Sequence, residues 1–227
     1  MATPPRGASV PVEKIPYGSV STVNGEDAGT SIQIGMPERS PSGAAHLRAL
    51  DLLVRLGTDR MPHGADRTLF DHLTGTSAIV ASWEHPAATQ LAALVHSVYG
   101  TSVYRDAAAS DDARPAVRAA IGDEAERIAF AFGALDRAAF RSAIASMDRP
   151  AACRVRTRWG AVLELDATDV EALTVIGMAN ECEQTVARDG VRAAWRERCP
   201  SLVAAAERWA LAAGRVPTAS REPERSA

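Results

Sequence analysis

Apolar residues recur at spacings of three and four through residues 43–213, the period of helices that bury one face. AAHLRALDLLVRLG sets Leu47, Leu50 and Val54 on one such face, and Gly57 ends the run. RTLFDHLTGTSAIVASW predicts a second helix, begun at Arg67, with Leu69, Leu73, Ile79 and Val80 at helical spacing. Pro86 suits the first turn of a third, which runs through ATQLAALVHSV. Asp123, with Glu126 three residues on, has the spacing of an N-cap and its capping-box partner ahead of a helix through EAERIAFAFGALD.

The period then changes. CRVRTRWGAVLELD alternates on either side of Trp159-Gly160, which predicts a short β-hairpin near residues 153–165. Thr168 and Glu171 have capping-box spacing for a long helix, VEALTVIGMANECEQTVA. A last helix covers much of VRAAWRERCPSLVAAAERWAL and is kinked or broken at Pro200. The pattern predicts a mostly α-helical bundle of about six or seven helices with one short β-hairpin insertion.

The ends have no sustained periodicity. Residues 1–42 are rich in Pro, Gly, Ser and Thr and read as a flexible N-terminal arm, with a short strand at SIQIG. Residues 43–213 form the helical domain, and 214–227 have the composition of a free tail.

Bulk chemistry narrows the function classes. A formal net charge of −3 gives no basic footprint for nucleic acid and no polybasic anchor for a membrane surface. Of 25 basic residues only Lys14 is a lysine, a bias that with the abundant alanine reflects GC-rich coding rather than arginine-dependent function. Cys153, Cys182 and Cys199 have no metal-ligand spacing, and their odd number does not suggest a disulfide framework. The N-terminus lacks the roughly 7–15-residue apolar run of a signal peptide. No window reaches the ~18 apolar residues of a membrane helix. A cytoplasmic protein is expected, with a homodimer as a candidate assembly and no nucleotide cofactor indicated.

Candidate chemistry centres on the histidines. His63 lies in a Met-Pro-His-Gly loop, His72 near the start of the second helix, and His96 at the end of the third. Antiparallel packing of those helices would let His72 face His96, with His63 at the same end. Three neutral imidazoles there suit one transition metal such as iron, zinc or manganese. Arg67 is a candidate for holding a substrate anion, or else pairs with Asp71. Tyr99, Thr101 and Tyr104 are candidates for a pocket mouth, or else ordinary packing. His46 and His85 are expected on the surface, Asp111-Asp112 in a solvated loop, Arg154, Arg156 and Arg158 on an exposed strand face, and Cys182 in the core.

RTLFDH (67–72), LAALVHS and the late helix IGMANE resemble, in that order, the signature segments of the HD-domain superfamily. There the first segment supplies a histidine, the second a His-Asp pair, and the late helix an aspartate that closes the metal site. His72 and His96 match residue by residue. Ser97 stands in place of the pair's aspartate and Asn180 in place of the closing one. HLTGT and HSVYGT further resemble an uncharacterised bacterial family of HD-like proteins with HL-x-GT and HS-x-YGT motifs and an upstream histidine, which His63 matches. The resemblance implies an HD-like bundle with His72, His96, Ser97 and Asn180 as the catalytic set. Without carboxylates to offset two cations, it implies one metal at most, on His63, His72 and His96 with Asn180, Glu181 or Glu183 completing its sphere, or else a metal-free pocket in which the histidines bond each other, Ser97 and Asn180. A small-molecule enzyme of bacterial specialised metabolism follows, using oxidative chemistry at a single iron or metal-free acid–base chemistry. A ligand-sensing protein with a degenerate site is the alternative, and a phosphohydrolase fits least.

Overall fold

The structure, a computed structural model, describes residues 41–64, 67–189 and 195–211. The arm with its SIQIG strand, apart from its last two residues, and the tail lie outside these residues. Nine α-helices occur among them: α1 (Pro41–Arg55), α2 (Leu69–Ser82), α3 (Ala87–Val95), α4 (Arg114–Ile121), α5 (Asp123–Ala134), α6 (Arg137–Ala145), α7 (Ala167–Asp189), α8 (Trp195–Arg198) and α9 (Pro200–Arg208). The alternation around Trp159-Gly160 does form an antiparallel hairpin, β1 (Cys153–Arg156) with β2 (Val162–Leu165), in which Cys153 faces Leu165 and Arg156 faces Val162. The protein is mostly α with this one hairpin among the described residues. The helix number exceeds expectation because α4 and α6 are too short for a clear apolar period, and the final helix is split before Pro200.

α2 is the central element, packed against both α3 and α7. It starts at Leu69, two residues later than expected, because Thr68 is its cap. The Thr68 hydroxyl accepts from the Asp71 backbone N–H while the Asp71 carboxylate accepts from that of Thr68. Pro62 and Thr68 form an isolated antiparallel bridge, with Leu69 N–H donating to the Met61 carbonyl at 2.8 Å and His63 N–H to Arg67 at 2.9 Å. That clamp pins His63 above the first turn of α2. Leu69 and Leu73 are fully buried, each contributing about 2 kcal/mol by removal from water. His72, Thr76 and Ser77 are buried on the same helix, so α2 carries a polar stripe inward as well as an apolar one.

Several local expectations are corrected. α1 buries Ala45, Ala49, Leu52 and Leu53, whereas Leu47 and Val54 are about half exposed (48% and 49%). α1 packs against α4 and α3, with Ala45 and Ala49 as well as Leu52 and Leu53 on its buried face. α5 has Gly122 rather than Asp123 as its cap, and Glu126 turns into the core. The reciprocal bonds that open α7 join Asp166 and Asp169, each accepting the other's backbone N–H, and not Thr168 and Glu171. His85 is buried, with no hydrogen-bond partner for Nε2. Among the described residues no helix is long and apolar enough to cross a membrane.

Candidate functional site

α2, α3 and α7 bring His72, His96, Asn180 and Glu183 together in the interior, where both imidazoles are fully buried. His72 Nδ1 meets Glu183 Oε2 at 2.5 Å. Arg67 holds the same carboxylate bidentately, with Nη1 on Oε1 and Nη2 2.8 Å from Oε2. Burial alone would raise Glu183, but hydrogen bonds from His72 and Arg67 outweigh it and hold the carboxyl below its ordinary range. Arg67 is therefore engaged by Glu183 and not by Asp71, whose carboxylate is taken by the Thr68 cap.

His96 ends α3 and donates from Nδ1 to the Ala93 carbonyl at 2.7 Å. Its Nε2 lies 3.2 Å from His72 Nε2 and 3.2 Å from Asn180 Oδ1, the oxygen that also accepts from Gln184 at 3.3 Å. Burial, then the nearby His72, hold His96 well below the ordinary imidazole value. These partners fix the tautomers. A carbonyl and an ionised carboxylate can only accept, so both Nδ1 atoms carry hydrogens. In neutral rings the two Nε2 lone pairs then point at one another and at an amide oxygen. Such a cluster of acceptors needs a cation or a proton at its centre.

His63 does not converge on that point. Its ring stacks on His72 with centroids 4.2 Å apart and planes 16° apart, so its in-plane nitrogens cannot aim where His72 Nε2 aims. Tyr104 packs edge-on against His63 at 4.9 Å, as a lining residue would. Burial, followed by the charges of His72 and Arg67, lowers His63 to about 4. The expected set of three histidine ligands becomes two histidines with His63 as their roof. Among the described residues no three His, Cys, Asp or Glu side chains form a metal-holding group, the third donor here being an amide.

Other candidates lie elsewhere. The Tyr99 hydroxyl donates to Glu126 at 3.1 Å, inside a buried cluster where Arg114 and Arg118 also hold that carboxylate. Burial and Glu126 push the Tyr99 phenol up, which removes it as an acid. The Thr101 hydroxyl accepts from the Val103 and Tyr104 backbone N–H groups, shaping the turn after Gly100, whose φ of 67° is left-handed. Ser97 is buried in the preceding turn, where its carbonyl accepts from Gly100 N–H. Glu181 pairs with Arg141 and Arg198. Arg158 is half-buried and donates to the Tyr99 and Thr101 carbonyls, unlike the exposed Arg154 and Arg156.

Glu183 and Glu126 are the residues whose roles sequence reasoning missed. Glu183, a candidate to complete a metal's sphere, instead holds His72 and Arg67, and its position three residues after Asn180 on the same helix face is the signal for that neighbourhood.

No curated protein and no solved structure matches the chain. Residues 52–137, which hold His63, His72 and His96 but neither Asn180 nor Glu183, match the model of a family described as Domain of unknown function (DUF6817).

Proposed function

We propose that this protein is a small-molecule enzyme that works with one divalent transition metal held by His72, His96 and Asn180. The observation that carries it is the meeting of two Nε2 atoms at 3.2 Å while both Nδ1 atoms are committed to acceptors. Two nitrogens about 2.0–2.1 Å from one ion lie about 2.9–3.4 Å apart between right-angled and tetrahedral directions, so the spacing fits. A carboxylate or carbonyl behind each ligating imidazole is the usual support of such ligands. Bound there, the ion would supply Lewis acidity or a site for oxygen chemistry.

The chain's own residues do the rest. Glu183 and Arg67 hold the His72 ring in plane and in one tautomer, and Ala93 does so for His96. His63, Tyr104 and Phe132, whose ring stands edge-on to His96, keep bulk water out. Asn180 is neutral, so the set offsets little charge and suits one ion rather than two. The likeness to HD domains supports this reading and belongs to it.

A second reading has a specific observation behind it. The Glu183–Arg67 pair also suits a His72 imidazolium that shares its Nε2 proton with His96, a metal-free acid–base couple. Elemental analysis of protein purified without chelators separates the two. One iron, zinc or manganese per chain, lost in both His72→Ala and His96→Ala, supports the metal enzyme. Wild-type protein that stays metal-free after incubation with each ion overturns it in favour of the couple.

A further inference from the structure

Arg137 begins α6 directly after the Asp136 cap, and its guanidinium turns inward. Its Nε is shielded from solvent and has no hydrogen-bond partner. Asp136, its chain neighbour, and Glu181, whose charge reaches it, are both held by other partners. Asp136 accepts from the Ala138 and Ala139 backbone N–H groups and from Arg156 at 2.8 Å. Glu181 lies between Arg141 at 3.4 Å and Arg198 at 3.6 Å. The Glu181 charge favours the Arg137 cation from a distance, but among the described residues no carboxylate comes within ion-pair distance of it. Arg137 is half-buried, and leaving its shielded Nε unbonded is costly because a guanidinium cannot shed its proton.

Arg137 also lines a cavity. Its walls are largely apolar, with Phe132, Leu173 and Leu202 among them, and Asn180 and the paired Arg141 and Glu181 supply the rest of its polar lining. The empty space is about 360 Å³ with its open mouth included, which suits a small molecule. The Arg137 guanidinium lies 5.0 Å from the Phe132 ring centre, and the same ring stands edge-on to His96 at 4.9 Å. Asn180 lines the cavity, and its Oδ1 lies 3.2 Å from His96 Nε2.

We propose that this cavity binds the carboxylate of a short aliphatic monocarboxylic acid, with Arg137 as its counter-ion, and so names the substrate class of the histidine site. The proposal rests on the enzyme reading only for the word substrate; binding itself does not depend on the metal. A planar two-oxygen group matches the guanidinium fork, and the leucine walls take the hydrocarbon end.

Titration of the full-length chain with acetate, propionate and isobutyrate, followed by NMR, tests it, with chloride and inorganic phosphate as controls. Saturable binding of the carboxylates is expected, with intermolecular Overhauser contacts from the ligand methyl group to Phe132, Leu173 or Leu202. Arg137→Gln should weaken it about tenfold or more, with unchanged circular dichroism and metal content. Arg137→Lys, which keeps the charge and loses the fork, should fall between. Absence of saturable binding to wild type, phosphate binding as well as the acids, equal binding by Arg137→Gln, or contacts only to residues outside the cavity would each overturn it. If Arg137→Gln does not fold, the wild-type Overhauser contacts decide. Carboxylate binding by a wild type that takes up no metal would leave this proposal standing and remove the metal reading alone.

Discussion

A Cβ atom added to Gly75 would stand 3.0 Å from Glu183 Cγ and 3.1 Å from its Oε1, so the absence of a side chain on α2 is what lets the carboxylate reach His72. Helix propensity alone favours alanine at this position by roughly 1 kcal/mol. Gly75→Ala should nonetheless fail to stabilise the protein, because Glu183 must move and loosen its hold on His72. Urea denaturation measures the stability, and the ¹⁵N chemical shift of His72 reports the lost partner. A variant more stable than wild type with an unchanged His72 signal would show that α2 and α7 have slack to spare.

That contact also explains two motif positions. In HLTGT, Gly75 makes room for Glu183, and Thr76 donates its hydroxyl to the His72 carbonyl at 2.9 Å. In HSVYGT, Gly100 takes the left-handed turn and Thr101 caps it. The first motif sets up the site, and the second sets up the loop that follows it.

Glu126 anchors a second buried network, between Arg114, Arg118 and the Tyr99 hydroxyl. Removing one member of such a cluster leaves the others desolvated without a partner. Glu126→Ala is expected to cost about 3 kcal/mol, short of the full range because both arginines reach solvent. Denaturation of the variant beside Asp123→Ala checks this, since Asp123 is exposed and pairs only with Arg118. Equal losses from the two substitutions would refute the buried role of Glu126.

His85 supplies the pH test. Burial lowers its value from the ordinary 6.5, and its Nε2 has no partner. The folded state therefore refuses a proton that the unfolded chain accepts. Stability should be complete above about pH 6.5 and decline as pH falls from there towards the lowered folded value. His85→Leu should make that decline shallower without removing it, because burial also lowers His46, His63 and His96, which keep their own shares. Parallel acid profiles for wild type and His85→Leu would sink the assignment.

What the sequence made legible follows a physical divide. Periodicity exposed the helices and the hairpin, because burial of one face is written locally. It also brought His72 and His96 together, since two helices joined by a short turn pack antiparallel. Partners distant in the chain were hidden. Asp71 lies four residues from Arg67 and was the visible partner, yet Thr68 claims it, and Arg67 reaches Glu183 across 116 positions. The start of α7 failed for another reason. Asp166 with Asp169 and Thr168 with Glu171 share one spacing, and spacing alone does not choose between overlapping boxes. The α1 face failed because alanines at a tight interface weigh little on a hydrophobicity pattern.

The last prediction concerns Asn180, whose Oδ1 sits 3.2 Å from His96 Nε2 and 3.3 Å from the Gln184 amide. Asn180→Asp keeps the shape and puts a charge between the Gln184 amide, which donates to it, and the lone pair of His96 Nε2, which does not. Without metal, a carboxylate buried in this apolar setting is penalised, so the apo variant should unfold more easily than wild type. With a divalent ion on His72 and His96, the new carboxylate becomes an opposite charge in a water-poor site, where attraction is strongest. The variant should therefore bind zinc or manganese about tenfold or more tightly than wild type and regain its lost stability on loading. Thermal unfolding with and without each ion reads both effects at once. An apo loss that metal does not repair would mean that His96 and Asn180 share a hydrogen bond and nothing more, leaving the metal-free couple as the chemistry of this site.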